Sequence, residues 1–205
     1  MGTQHLTLYK FKSLNNIEQV FDIIINQRLY CGLINDLNDV REASMEMNAS
    51  LQTGIYGLYS DMFKGQIQNI RVLSLTKSYK NHLMWAHYAD GYKGVAICVR
   101  VIKTDFSPVI YKKMCPDYDK LIKKGKLSGL KETILFRKYK CWKKEEEYRH
   151  IQKEEYYRVF IKEVILGSRI NEKIQEVLGL LCKEYGIAVS KLVVEKGIIK
   201  KEIIL

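Results

Sequence analysis

The stretch from Leu73 to Ile97 constrains this chain more than any other. It opens as a strand in which Ser74, Thr76 and Ser78 alternate with Leu73, Leu75 and Lys77. It passes through Asn81, His82, Trp85, His87 and Tyr88, then returns to an apolar strand at Val95. Hydroxyl, imidazole, indole and phenol groups are costly to bury without partners. Two strand ends that bring so many of them together describe a site rather than a scaffold.

The rest of the chain must supply a core around it. With 205 residues, 47% of them hydrophobic, the sequence suits a single domain spanning 1–205. Two prolines and no Gly/Ser-rich tract leave no linker to divide it. No apolar run approaches the ~18 residues of a membrane span, so no membrane partner is expected. The opening Met-Gly-Thr-Gln-His-Leu does not read as a secretory signal, and Leu6 stands where a myristoylation motif needs Ser or Thr. Five cysteines without CxxC spacing suggest neither a disulfide framework nor a zinc site. Most of them fit small core residues in a reducing cytoplasm.

Periodicity predicts strands over 5–11, 28–31, 69–76, 94–101, 145–151 and 157–166, with a terminal hairpin turning at Lys196-Gly197. It predicts helices over 17–27, with the stripe Ile17, Val20, Phe21, Ile24 and Ile25, and over 172–184. A short helix or turn is expected over 81–88, and mainly helical structure through the basic segment 117–140 and up to about Met62. Strands and helices mix without strict alternation, which predicts an α+β fold.

Charge is unevenly spread. The chain carries +11 overall, and twelve Lys or Arg residues fall between Tyr111 and Lys144 against Asp117, Asp119 and Glu132. Such a block attracts polyanions, with Tyr111, Tyr118 and Tyr139 interleaved as candidates to stack on bases. A solvated lysine-rich surface would show the same pattern.

The second constellation is Trp142-Lys-Lys-Glu-Glu-Glu-Tyr-Arg-His150. On a strand, Glu145, Glu147 and Arg149 share one face. A cation beside two carboxylates can hold one ionised and aimed at a sugar hydroxyl; the same row would also protect an exposed edge. In Asn35-Asp-Leu-Asn-Asp39 the side chains favour tight turns, and Asn38, Asp39 and Glu42 are candidates for a cleft mouth. In the first strand, Tyr9 precedes Lys10, and Lys10 and Lys12 share a face suited to phosphate contact. No P-loop, GxGxxG, nucleophile elbow or HExxH is present. The four histidines lack metal-ligand spacing, so no metal site is expected.

These residues carry a resemblance. Leu8-Tyr-Lys-Phe-Lys-Ser13, Asn38-Asp-Val-Arg-Glu42, Met84-Trp-Ala-His-Tyr-Ala-Asp-Gly-Tyr-Lys-Gly94 and Trp142-x-x-Glu-x-Glu-Tyr-Arg149 follow the order of a large bacterial family, domain of unknown function 2971. Lys12 and Val40 depart from its usual Arg and Pro. More remotely, a basic first strand, a hydroxyl strand and a Glu-x-Glu strand look like the layout of ADP-ribosyltransferases. That similarity implies a mixed, split sheet with flanking helices and NAD, as substrate, in its cleft. It implies Lys10 or Lys12 on the dinucleotide, Ser74 and Thr76 at nicotinamide, and Trp85 or Tyr88 stacking there. Glu147, with Glu145 and Arg149, would be catalytic; Tyr9, Asn38 and His87 complete the candidate NAD contacts. A nucleic-acid acceptor held by the 111–144 segment would suit a toxin or anti-phage effector. The alternatives are a non-catalytic nucleic-acid-binding module and a metal-dependent nuclease.

Overall fold

The computed structural model describes residues 2–34, 65, 69–113 and 135–205. Asn38, Asp39, Glu42, Tyr118, the helical reading up to Met62 and most of the basic segment lie outside the described residues.

The apolar run at 95–102 becomes the central strand because both of its faces find cover. The strands are β1 (His5–Lys12), β2 (Arg28–Tyr30), β3 (Gly32–Leu33), β4 (Arg71–Thr76), β5 (Val95–Ile102), β6 (Ser107–Pro108), β7 (Ile110–Lys112), β8 (Arg137–Tyr139), β9 (Glu147–Gln152), β10 (Tyr156–Arg158), β11 (Phe160–Leu166), β12 (Ala188–Glu195) and β13 (Ile198–Ile203). The helices are α1 (Ile17–Asn26), α2 (His82–Tyr88) and α3 (Glu172–Glu184). On β5, Val95, Ile97, Val99 and Val101 join the main core with Val20, Ile23 and Ile24 of α1 and Leu178 and Cys182 of α3. Ala96 instead meets Phe11, Trp85, Ile165 and Leu192 in a second cluster. Each fully buried aliphatic side chain contributes about 1.5–3 kcal/mol, and a strand buried on both faces reads as a continuous apolar run.

The result is a mixed α and β structure built on one curled sheet. Its order is β13-β12-β11-β5-β1-β4-β9-β6, with β3 also on β4. Neighbours are antiparallel except β11 and β12. β1 pairs with β5 along its whole length, from His5↔Ile102 to Lys12↔Val95, but meets β4 only at Tyr9↔Thr76. Further along, β4 gives the same pairing to β3 through Gly32↔Val72 and Leu33↔Arg71. A notch therefore opens in the sheet beside Ser74.

Several boundaries differ from the sequence expectation. Residues 137–139 are strand, not helix, and pair parallel with β7. The expected 157–166 strand breaks at Val159, whose N–H bonds to Gln27 in place of a ladder partner. In α1, Ile23 is buried and Ile25 is exposed. Helix α3 forms as expected, because Asn171 caps it by accepting from Lys173 N at 3.0 Å and Ile174 N at 3.4 Å.

Candidate functional site

The notch continues into a cleft of about 280 Å³. It is lined by Tyr9, Lys10 and Lys12 of β1, Ser74 and Thr76 of β4, and Glu145, Glu147 and Lys138, together with Tyr30, Met84 and Tyr88. That volume is just below the roughly 300–1,000 Å³ typical of small-molecule sites.

The carboxylate part of the lining is built around one turn. Residues Lys140–Glu145 form a 3-10 turn, and β9 starts at Glu147, so Glu145 is not on the strand as expected. Between them Glu146 adopts φ 46° and ψ 48°, a left-handed conformation that costs a β-substituted residue energy. This reversal brings both carboxylates to one lysine. Lys138 Nζ donates to Glu145 Oε2 at 2.8 Å and to Glu147 Oε2 at 3.3 Å. Arg149 Nε donates to Glu147 Oε1 at 2.6 Å and Nη2 to Oε2 at 3.1 Å, while Nη1 reaches Leu135 O at 2.7 Å. Tyr88 Oη donates to Glu145 Oε1 at 2.7 Å. All four charged groups are buried.

Burial alone would push the Glu147 carboxyl up. The Arg149 guanidinium, the Lys138 ammonium and the Ser74 hydroxyl outweigh it and hold Glu147 at about 2. Its backbone N–H donates to Tyr111 Oη at 2.8 Å, and burial pushes that phenol up to about 12. The Tyr111 hydroxyl thus helps fix the backbone at Glu147.

Strand β1 adds two further lysines to the lining, Lys10 and Lys12. Lys10 Nζ donates to Ser74 O at 3.0 Å, across the notch where a strand would otherwise pair. Burial, reinforced by the neighbouring Lys12 ammonium, lowers Lys10 to about 8. Lys12 is also lowered by burial and donates to Gln19 Oε1 at 2.8 Å. Gly94 permits this arrangement: a Cβ there would lie 2.2 Å from Lys12 O.

Helix α2 adds Met84 and Tyr88 to the lining. Trp85 does not line the cleft, contrary to its reading as a stacking residue. It is fully buried, edge-on to Phe11 with centroids 5.0 Å apart, stacked beside Tyr92 at 6.1 Å, and its indole N–H donates to Tyr79 O at 2.7 Å. It anchors the helix so that Met84 and Tyr88, four residues apart, share the face toward Glu145. Asn81 begins the helix by accepting from Leu83 N at 3.0 Å, and its amide donates to Lys144 O. His87 is exposed and lines a neighbouring cavity with Trp142 and Cys141. Thr76 lines the cleft, but its hydroxyl is committed to Glu145 O at 2.5 Å.

The structure thus brings Tyr9, Lys10, Lys12, Ser74, Thr76, Tyr88, Glu145 and Glu147 to one cleft, with Arg149 behind Glu147. Sequence reasoning missed Lys138 as a site residue, counting it only within the basic 111–144 block. Phe136-Arg-Lys-Tyr139 shows no period-2 pattern that would have singled it out. Among the described residues no group of three or more His, Cys, Asp or Glu side chains is placed to hold a metal, and none of their helices is long and apolar enough to cross a membrane. No family model, curated protein or solved structure matches this chain.

Proposed function

We propose that the cleft binds NAD and consumes it by ADP-ribosyl transfer or hydrolysis. The observation that carries this reading is that Lys10 and Lys12 line one cleft together with the buried carboxylates Glu145 and Glu147. The two lysines suit the pyrophosphate, whose negative charge relieves their mutual repulsion. Tyr88, beside Glu145, suits the nicotinamide ring.

In the reaction the bond between ribose C1′ and nicotinamide nitrogen breaks, and its electron pair leaves with nicotinamide. Positive charge develops over C1′ and the ring oxygen. Glu147, ionised at any physiological pH, stabilises that charge from a fixed position. A hydroxyl or amine of the acceptor, or water, then adds to C1′ and loses its proton. Arg149 is a positioning residue: it keeps Glu147 ionised and oriented. Lys138 holds the two carboxylates together in the same way. A nucleic-acid acceptor, as in the notion of a toxin or phage-defence effector, belongs to this proposal.

The test is release of nicotinamide from NAD by purified protein, compared with Lys10→Met. That variant removes a cleft ammonium and leaves the carboxylate network whole. Release that falls at least tenfold through a higher KM supports the reading. Release unchanged in the variant contradicts the role of the β1 lysines.

A further inference from the structure

Beyond the cleft mouth, planar side chains form a ladder. Strands β2 and β10 pair with Tyr156 opposite Tyr30 and Arg158 opposite Arg28. The Arg28 guanidinium lies 3.8 Å over the Tyr156 ring, and the Tyr156 and Tyr30 rings meet edge to face at 5.8 Å. The Arg71 guanidinium lies 5.6 Å from the Tyr30 centroid and donates to its hydroxyl at 3.2 Å. Tyr30 is 45% exposed and also lines the cleft. Asp22 pairs with Arg28 at 2.7 Å, and Glu155 acts on both arginines. The local charge is therefore close to balanced. What the ladder offers is π-surface, on a chain whose overall charge of +11 draws polyanions.

We propose that Arg28, Tyr156, Tyr30 and Arg71 form a stacking surface for the bases of a single-stranded nucleic acid, which meets the cleft mouth at Tyr30. Unpaired bases present their faces to aromatic rings and guanidinium planes, whereas a duplex conceals them. Tyrosine and arginine also serve protein interfaces, but the net positive charge selects a polyanion. The surface acts independently of the chemistry in the cleft.

The test is fluorescence anisotropy with a labelled RNA strand of about twelve nucleotides and with its duplex, without NAD, so the outcome stands whether or not the cleft turns NAD over. The strand binds about tenfold or more tightly than the duplex, and Tyr156→Ala weakens it by about tenfold or more while Tyr156→Phe does not. Between roughly 50 and 200 mM salt the affinity falls, because the chain's net charge of +11 draws the strand, while the loss in Tyr156→Ala persists at both salt concentrations. Wild-type affinity in a Tyr156→Ala protein that melts normally overturns the proposal. So does equal affinity for the duplex. A steep salt dependence with Tyr156→Ala unaffected overturns it too, and places the binding on the lysines between 111 and 144.

Discussion

Arg149 holds Glu147 by both carboxylate oxygens, at 2.6 and 3.1 Å, with both side chains buried. Two charges removed from water this way depend on each other. Losing one strands the other, whereas losing both leaves an ordinary core position.

Glu147→Gln and Arg149→Met should therefore each destabilise the fold by about 3–5 kcal/mol, and the double variant by much less than their sum. Urea unfolding of the four proteins measures the coupling. Additive losses would mean that the pair is solvated in solution. The single Glu147→Gln protein is consequently a poor reagent for assigning chemistry, because loss of activity and loss of fold coincide in it.

Acid stability should follow the same carboxylate. Its folded value near 2 lies below the ordinary 4.5, so it stabilises the native state fully above about pH 4.5. That contribution, about 3 kcal/mol, is lost as pH falls from 4.5 toward 2. Unfolding free energies across this window should slope steeply in the wild type and less so in the Glu147→Gln/Arg149→Met protein. Equal slopes would contradict the assignment.

If the proposed pyrophosphate contact holds, Lys10 should set an alkaline limit on it. Its folded value of about 8 lies below the ordinary 10.5, so between these values the folded protein has released a proton that the unfolded chain still holds. Stability from this group rises with pH across that window, while affinity for a pyrophosphate falls above about pH 8. Titration with ADP-ribose at several pH values should show this fall, with proton uptake on binding, and Lys10→Met should flatten it. A pH-independent affinity in the wild type would remove Lys10 from the contact.

Gly94→Ala should destabilise the protein by more than about 2 kcal/mol. The added methyl meets backbone, Lys12 O at 2.2 Å and Ala89 Cα at 2.9 Å, and neither can rotate aside. A melting temperature equal to the wild type would show that β1 and α2 shift freely, and with them Lys12 and Tyr88.

Much of this site is legible in the chain itself. Alternation placed Ser74 and Thr76 on one side of β4, and Glu147 and Arg149 on one side of β9, because a strand allows no other arrangement. Glu145 reached the same cleft by a different route, through the left-handed Glu146, which no period reveals. Trp85 and Tyr88 look alike in sequence; only packing against Phe11 and Tyr92 separates the anchor from the cleft residue. Lys138 was hidden because a buried lysine is written with the same letter as a solvated one. The notch itself depends on β1 and β3 sharing one edge of β4, a long-range pairing that local propensity does not encode.

The most direct measurement is chromatographic detection of nicotinamide after incubation with NAD, using wild type and Glu147→Gln/Arg149→Met protein of matched stability. The account predicts release by the wild type and its loss, by at least about a hundredfold, in the double variant. Equal release by both, or no release by a wild type that binds ADP-ribose in the cleft, would contradict it.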